Sequence, residues 1–243
     1  MRAVATLIAF LGLAVLGVLG AQSLAQAPPP EPPPPVTTAA PAPAAPSTPA
    51  PAPATTTPVV TAPAAPAGPS RAIGQPWHGR LVNGVQLPEV GAGWLTWDPV
   101  LKRIPNRPER RWGTAKLIAT LQRVLAAFHA AHPELPPVLV GDLSRPHGGI
   151  FDKRFGGLGH ASHQNGLDAD VYYPRADHRL LAAYKPSLVD RALAQDLLNR
   201  FVAVGVQFVF VGTRVGLHGP RKIVQVLAHH NDHMHVRIFP PRG

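Results

Sequence analysis

Two short segments of the chain concentrate side chains that bind metals and transfer protons. Residues 160–170 read HASHQNGLDAD and residues 230–237 read HNDHMHVR, and together they hold five of the twelve histidines. A hydrolytic zinc site uses three protein ligands and keeps a fourth position open for water. His163, Asp170 and His235 would supply such a set, since neutral imidazole and carboxylate both bind zinc well. The two segments therefore predict a zinc site if the fold brings them together.

Each segment runs into a predicted strand, and the alternation of a strand decides which side chains meet. In the first strand, Asp168 and Asp170 share one face. In the second, His233, His235 and Arg237 share one face, while the apolar residues between them face the core. Two imidazoles and a guanidinium side by side need a metal or an anion opposite. We therefore expect Asp170 to face them from a neighbouring strand.

Residues next to this predicted set have several candidate roles. Asp168 is expected to orient a ligand or to stabilise the structure rather than to bind the metal. Arg237 is predicted to bind a substrate carboxylate, with a buried ion pair as the alternative. Ser144 lies in a glycine-containing loop, residues 144–149, that is expected to line the substrate cleft. The four tryptophans are expected in the core: Trp77, Trp94, Trp97 and Trp112.

Composition divides the chain into three parts. Residues 1–25 are predicted to be a secretory signal peptide, with a retained membrane anchor as the alternative. Residues 26–70 are rich in Pro, Ala and Thr and are predicted to be a disordered linker. Residues 71–243 are long enough for one well-filled domain. This part is expected to be exported and periplasmic, and a membrane contact is expected only if the first segment stays attached.

Charge and cysteine content limit the chemistry and the partners. The chain has no cysteine, so a metal site must use histidine and carboxylate. The net charge of +10 suits anionic partners such as wall polymers, lipid headgroups or nucleic acid. No nucleic-acid-binding motif appears, so we expect no nucleic-acid partner. The sequence leaves the oligomeric state open.

Hydrophobic periodicity predicts an α+β fold with a small, mainly antiparallel sheet and flanking helices. Apolar residues at spacings of three and four predict a helix over residues 114–131, and a second helix is predicted over 188–204 with Ser187 as its cap. Asn83-Gly84 between two apolar arms predicts a β-hairpin. Strands are predicted at residues 138–140, 167–172, 206–211, 223–227 and 233–239.

Two patterns together resemble those of the penicillin-insensitive murein endopeptidases, in the wider group of lysostaphin-like and D-Ala-D-Ala metallopeptidases. They are S-H-Q-x-G-L-D-x-D at residues 162–170 and H-x-D-H-x-H-V-R at residues 230–237, and the resemblance spans most of residues 80–237. It implies a zinc site on the sheet face, held by three ligands: His163, Asp170 and His235. The substrate that the resemblance implies is the D-alanyl–diaminopimelyl cross-link of peptidoglycan.

The resemblance also implies that His233 is catalytic, and that His230 and His160 are further active-site histidines. No H-E-x-x-H motif supplies a glutamate base, so His233 is the candidate general base, with stabilisation of the oxyanion as the alternative role. One catalytic zinc ion is expected, and a second ion is left open. Two other functions fit the same motifs: a zinc D,D-carboxypeptidase that trims terminal D-Ala, and a non-catalytic peptidoglycan-binding module.

Overall fold

The computed structural model describes residues 68–153 and 159–241. The predicted signal peptide at 1–25 lies outside these ranges, and so does the predicted linker at 26–70 apart from its last three residues. The described residues belong to one compact unit of the chain, Val59–Gly243. Within them, no helix combines the length and the apolar character needed to cross a membrane.

Eleven strands and two α-helices form the described part of the chain. The strands are β1 (Arg71–Gln75), β2 (His78–Val82), β3 (Val85–Gln86), β4 (Val90–Gly91), β5 (Trp94–Thr96), β6 (Trp112–Gly113), β7 (Val138–Val140), β8 (Asp168–Tyr172), β9 (Phe208–Val211), β10 (Val224–Val226) and β11 (His233–Arg237). The helices are α1 (Ala115–Ala131) and α2 (Arg191–Ala203).

Seven of these strands make one mixed sheet in the order β10-β9-β11-β8-β7-β5-β4. The β10–β9 and β5–β7 pairs are parallel, and the other four pairs are antiparallel. Two small two-stranded sheets, β1–β2 and β3–β6, lie beside it. The predicted α+β class is confirmed, although the sheet is larger than the small sheet that was expected.

The two helices begin where short polar side chains can cap them. Thr114 accepts a hydrogen bond from the backbone N–H of Leu117 at 3.2 Å and starts α1, as predicted. The helix buries its apolar stripe in the same core as the sheet. For α2 the predicted cap was wrong. Asp190, not Ser187, accepts from the N–H of Leu193, because residues 186–188 form a separate 3₁₀ turn before the helix.

The predicted hairpin at Asn83-Gly84 was also wrong in its strand pairing. Asn83 adopts the expected left-handed backbone with φ 49°, but β2 pairs with β1 on one side and β3 pairs with β6. The other edge of β2 is already taken, since the N–H of Leu81 donates to the carbonyl of His147 at 2.9 Å. The turn therefore redirects the chain instead of folding it back on itself.

Candidate metal centre

Two neighbouring central strands bring the two histidine-containing segments together. β11 pairs antiparallel with β8, and its register sets His235 opposite Asp170 and Arg237 opposite Asp168. The alternate residues of β11, Met234 and Val236, are fully buried in the core. Asp170 thus faces His235 from a neighbouring strand, as expected. The charged and imidazole side chains therefore share one face of the sheet.

His163 reaches the same point from the loop that precedes β8. Its backbone is left-handed, with φ 67°, which is uncommon for a residue other than glycine. Two hydrogen bonds hold it there: its backbone N–H donates to Asp168 Oδ2 at 3.0 Å, and its Nδ1–H donates to the carbonyl of Leu143 at 2.6 Å. The loop thus fixes both the position of the imidazole and the direction in which Nε2 points.

Three histidine nitrogens converge on one carboxylate oxygen, Oδ1 of Asp170. His163 Nε2 lies 3.3 Å from it, His235 Nδ1 lies 3.4 Å from it, and His233 Nε2 lies 3.6 Å from it. These separations exceed the usual N–H···O range of about 2.7–3.2 Å. The two shorter separations, from His163 and His235, match the ligand-to-ligand edges of about 3.3–3.4 Å expected when a tetrahedral zinc ion is bound at about 2.0–2.1 Å.

The hydrogen-bond partners of His163 and His235 indicate which nitrogen of each ring can carry a lone pair towards Asp170. His163 uses its Nδ1–H on Leu143, so Nε2 carries a lone pair. His235 places its Nε2 3.0 Å from Asp168 Oδ1, so when its ring is neutral and donates Nε2–H there, the lone pair is on Nδ1. Within the described residues, His163 Nε2 and Asp170 Oδ1 are buried without a hydrogen-bond partner. Lone pairs that face one another in a buried site repel unless a cation lies among them, so the residues fit a bound metal.

His160 lies on the other side of the same carboxylate. One potential ligand atom each from His160, His163 and Asp170 lies within 4.8 Å of the others, so these three residues could hold a metal ion. His160 Nδ1 is 3.8 Å from Asp170 Oδ2, and His160 Nε2 donates to Asp142 Oδ2 at 2.7 Å. His160 and His235 therefore approach different oxygens of Asp170, and His235 makes the closer approach.

Charge and burial set the protonation of the cluster. Burial of Asp170 would raise its pKa, but the surrounding histidines outweigh burial and hold the pKa well below its usual value. Burial lowers the pKa of His163, which keeps its lone pair available. For His235, burial also lowers the pKa, but Asp168 outweighs burial and raises it to about 9. A proton and a metal therefore compete for His235.

The two remaining histidines of the second segment lie beside this cluster. His233 Nδ1 is 2.8 Å from Asp232 Oδ1, and the His230 ring is 5.0 Å from the His233 ring. Burial lowers the pKa of His233, but Asp170 and Asp232 outweigh it, and the net shift is upward. His230 donates Nδ1–H to the carbonyl of Ala228 at 2.7 Å. Burial and the nearby His233 lower the pKa of His230 to about 4, so it is neutral at neutral pH.

A buried polar network behind His160 was not anticipated from the sequence. Asp142 is fully buried and accepts hydrogen bonds from Arg110, from Asn106 Nδ2 at 3.0 Å and from His160. Its backbone carbonyl also accepts the N–H of Asp170 at 2.9 Å. Arg110 and Asn106 lie more than 30 positions from Asp142 in the chain, so no local pattern pointed to their meeting.

The predicted substrate-contacting residues are placed differently from one another. Arg237 is buried and forms an ion pair with Asp168, with Nε 2.6 Å from Oδ1, which is the alternative role considered for it. It also borders the cleft described next. Ser144 is fully buried and does not line that cleft, so its placement gives no support to substrate contact. The predicted substrate role of both residues remains a prediction.

An open cleft of about 790 Å³ lies over the cluster. Asp170, His233 and His235 are among the residues that line it, so the cluster borders a space large enough for a peptide-sized ligand. Among the tryptophans, Trp94 and Trp97 are buried as predicted. The expectation that Trp77 packs in the core was wrong, because it is 58% exposed at this cleft.

Comparison with known proteins identifies the family. A family model described as penicillin-insensitive murein endopeptidase matches residues 72–200, which is more than half of the chain. The chain belongs to this family, and the resemblance inferred from its two motifs is confirmed. The match includes His160, His163 and Asp170 and ends before the second histidine-containing segment.

Individual relatives carrying that name are moderately similar. The penicillin-insensitive murein endopeptidase of Haemophilus influenzae is 28% identical over 200 residues, covering 72% of this chain and 65% of the relative. That of Yersinia enterocolitica is 30% identical over 130 residues, covering 53% and 42%. That of Klebsiella pneumoniae is 31% identical over 126 residues, covering 51% and 40%. The chain thus matches less than two thirds of the length of these relatives.

Proposed function

We propose that this protein is a zinc-dependent endopeptidase that hydrolyses the D-alanyl–diaminopimelyl cross-links of peptidoglycan in the periplasm. The observation that carries the proposal is the pair of buried, unpartnered atoms, His163 Nε2 and Asp170 Oδ1, that face each other at 3.3 Å. Membership of the murein endopeptidase family supports the substrate class. The cleft over the cluster supports access by an extended peptide.

His163, Asp170 and His235 are the proposed ligands. When bound, zinc would supply a Lewis acid that polarises the scissile carbonyl and makes water a stronger acid. The chain itself orients the ligands: the Leu143 carbonyl holds His163, and Asp168 holds His235. These contacts keep the two lone pairs aimed at Asp170 and reduce the reorganisation needed on binding.

His233 is the proposed proton carrier. Asp232 holds its Nδ1, which leaves Nε2 facing the cluster and the cleft. In amide hydrolysis, water oxygen adds to the carbonyl carbon and the C–N bond breaks. Nε2 of His233 would take a proton from the attacking water and pass it to the departing amine, so the imidazole ends as it began. This is the general-base role considered for His233.

His230 and His160 are proposed to contact the substrate or a water molecule in the site, and His230 to act there as a hydrogen-bond acceptor. Each uses one ring N–H on a fixed partner, Ala228 for His230 and Asp142 for His160. His230 is neutral at neutral pH, so the second nitrogen of its ring carries a lone pair and not a proton. The His230 ring in this arrangement cannot donate to an oxyanion, so it suits an amide N–H of the substrate or a water molecule.

Purified cross-linked muropeptide dimers, analysed by liquid chromatography and mass spectrometry, test the proposal. The zinc-loaded protein is expected to convert dimers to monomers, and His235→Ala to lose this activity. His218→Ala is the control, since it removes an exposed imidazole that does not line the cleft. Undiminished cleavage by His235→Ala would contradict the assignment of the ligands.

Two other outcomes would replace the proposal. Release of D-Ala from monomeric pentapeptide, with dimers left intact, would indicate a D,D-carboxypeptidase. Zinc binding and sedimentation with intact sacculi, without turnover of either substrate, would indicate a wall-binding module.

A further inference from the structure

Trp77 is a large apolar side chain that the core does not use. It is 58% exposed, whereas Trp94 and Trp97 are 5% and 2% exposed. An indole is amphipathic and buries a large area when it contacts a partner. A tryptophan exposed at a cleft therefore indicates a binding surface. Trp77 borders the same cleft as Asp170 and His233.

The turn that carries Trp77 is fastened to the loop of His163. Trp77 follows Pro76 in the tight connection between β1 and β2, and the carbonyl of Pro76 accepts the N–H of Gln164 at 2.9 Å. Asn165 Nδ2 donates to the carbonyl of Gly74 at 3.1 Å, in β1 just before the turn. The backbone beneath the indole is therefore fixed relative to the segment that holds the candidate ligand His163.

Other exposed apolar side chains at this cleft are Tyr184 and Leu227. Tyr184 is already engaged, because its hydroxyl accepts the indole N–H of Trp97 at 3.2 Å and Lys102 Nζ lies 5.4 Å from its ring centre. Trp77 thus combines a fixed backbone with an open aromatic surface beside the cluster. That combination is suited to binding a substrate, and it contributes little to stability.

We propose that Trp77 is a substrate-positioning residue whose indole packs against a saturated C–H face of the bound peptidoglycan fragment. This inference rests on the function proposed above. Two parts of such a fragment offer that chemistry: a pyranose ring of the glycan and the aliphatic stem of the peptide. Loss of one aromatic contact is expected to weaken binding by about tenfold. Because the indole is not part of the proton-transfer machinery, the loss falls on KM and leaves kcat unchanged.

Steady-state cleavage by Trp77→Ala and Trp77→Phe tests this with two substrates, a disaccharide-bearing muropeptide dimer and the same dimer without its sugars. Trp77→Ala is expected to raise KM about tenfold, with partial recovery in Trp77→Phe. A rise confined to the sugar-bearing dimer assigns the contact to the glycan, and a rise with both dimers assigns it to the peptide. Unchanged KM with both dimers, or a fall in kcat alone, overturns the proposal.

Phe239→Ala is the matched control, since Phe239 is an exposed aromatic residue, 51% accessible, that does not line the cleft. Its KM is expected to stay at the wild-type value. Thermal unfolding of all variants should match the wild type, because both side chains are largely exposed. Fluorescence titration with the same dimers gives a readout that is independent of turnover. If the wild type cleaves neither dimer, the proposed function fails. Wild-type binding that Trp77→Ala leaves unweakened overturns the role of Trp77.

Discussion

Replacing Asp168 with asparagine removes one buried charge behind the candidate metal centre and keeps the size of the side chain. The carboxylate accepts from His235 Nε2 at 3.0 Å and from Arg237 Nε at 2.6 Å through Oδ1, and from the N–H of His163 at 3.0 Å through Oδ2. An amide offers one oxygen and one NH₂, so it cannot accept on both sides. Asp168→Asn thus leaves a buried donor unsatisfied and the guanidinium of Arg237 without its counter-charge.

The structure sets the expected size of two effects. Removing one partner of a buried ion pair costs about 3–5 kcal/mol, out of a total stability of about 5–15 kcal/mol for a typical domain. Asp168 is fully buried and Arg237 is 9% exposed, so this larger figure applies and not that of a surface pair. Loss of the group that orients a metal-binding imidazole weakens metal binding by about 10- to 100-fold. Both losses are expected in Asp168→Asn.

Asp196→Asn is the matched control for this prediction. Asp196 also bridges a histidine and an arginine, His132 at 3.0 Å and Arg200 at 2.9 Å, but it lies at the surface. Its loss is expected to cost at most about 1 kcal/mol and to leave zinc affinity unchanged. Urea unfolding gives the free energies, and titration against a competing chelator gives the affinities. Equal unfolding free energies for the two variants, or unchanged zinc affinity in Asp168→Asn, would refute the reasoning.

Two pH-dependent properties follow from the same geometry. Burial alone would raise the pKa of Asp142, but hydrogen bonds from His160 and Arg110 outweigh it and lower the pKa from 3.8 to about 2. Because the unfolded chain takes up this proton first, roughly 2 kcal/mol of stability present above about pH 4 is lost as the pH falls towards 2. Urea unfolding across this range should show the loss in the wild type, and an equally steep loss in Asp142→Asn would count against it. For His235, whose pKa Asp168 raises to about 9 against the effect of burial, a proton must leave before Nδ1 binds zinc. Zinc affinity should therefore fall by about tenfold per pH unit below about pH 9, and a pH-independent affinity would contradict this.

Strand periodicity correctly predicted which side chains share a face in β8 and in β11. It placed His235 with Arg237 and Asp170 with Asp168 on single faces, and the observed register pairs these two sets. The prediction succeeded because side-chain alternation in a strand is a local property that the sequence carries directly. The helix predicted over residues 114–131 was also found, because the spacing of apolar residues along a helix is likewise a local property of the sequence.

The features that were missed depend on contacts between distant parts of the chain. The network around Asp142 includes Arg110 and Asn106, which lie more than 30 residues away in the chain. No rule based on local spacing predicts hydrogen bonds between residues so far apart. The hairpin at Asn83 failed because a loop nearly 65 positions later occupies the edge of β2. Trp77 was predicted in the core from its residue type alone. Residue type does not show that the turn between β1 and β2 holds the side chain at the cleft.

The anomalous scattering of zinc in a crystal grown with the metal tests the central claim most directly. The account predicts one peak in the cleft, about 2.0–2.2 Å from His163 Nε2, His235 Nδ1 and a carboxylate oxygen of Asp170. A peak held by other side chains, or no peak among these three residues, would contradict it.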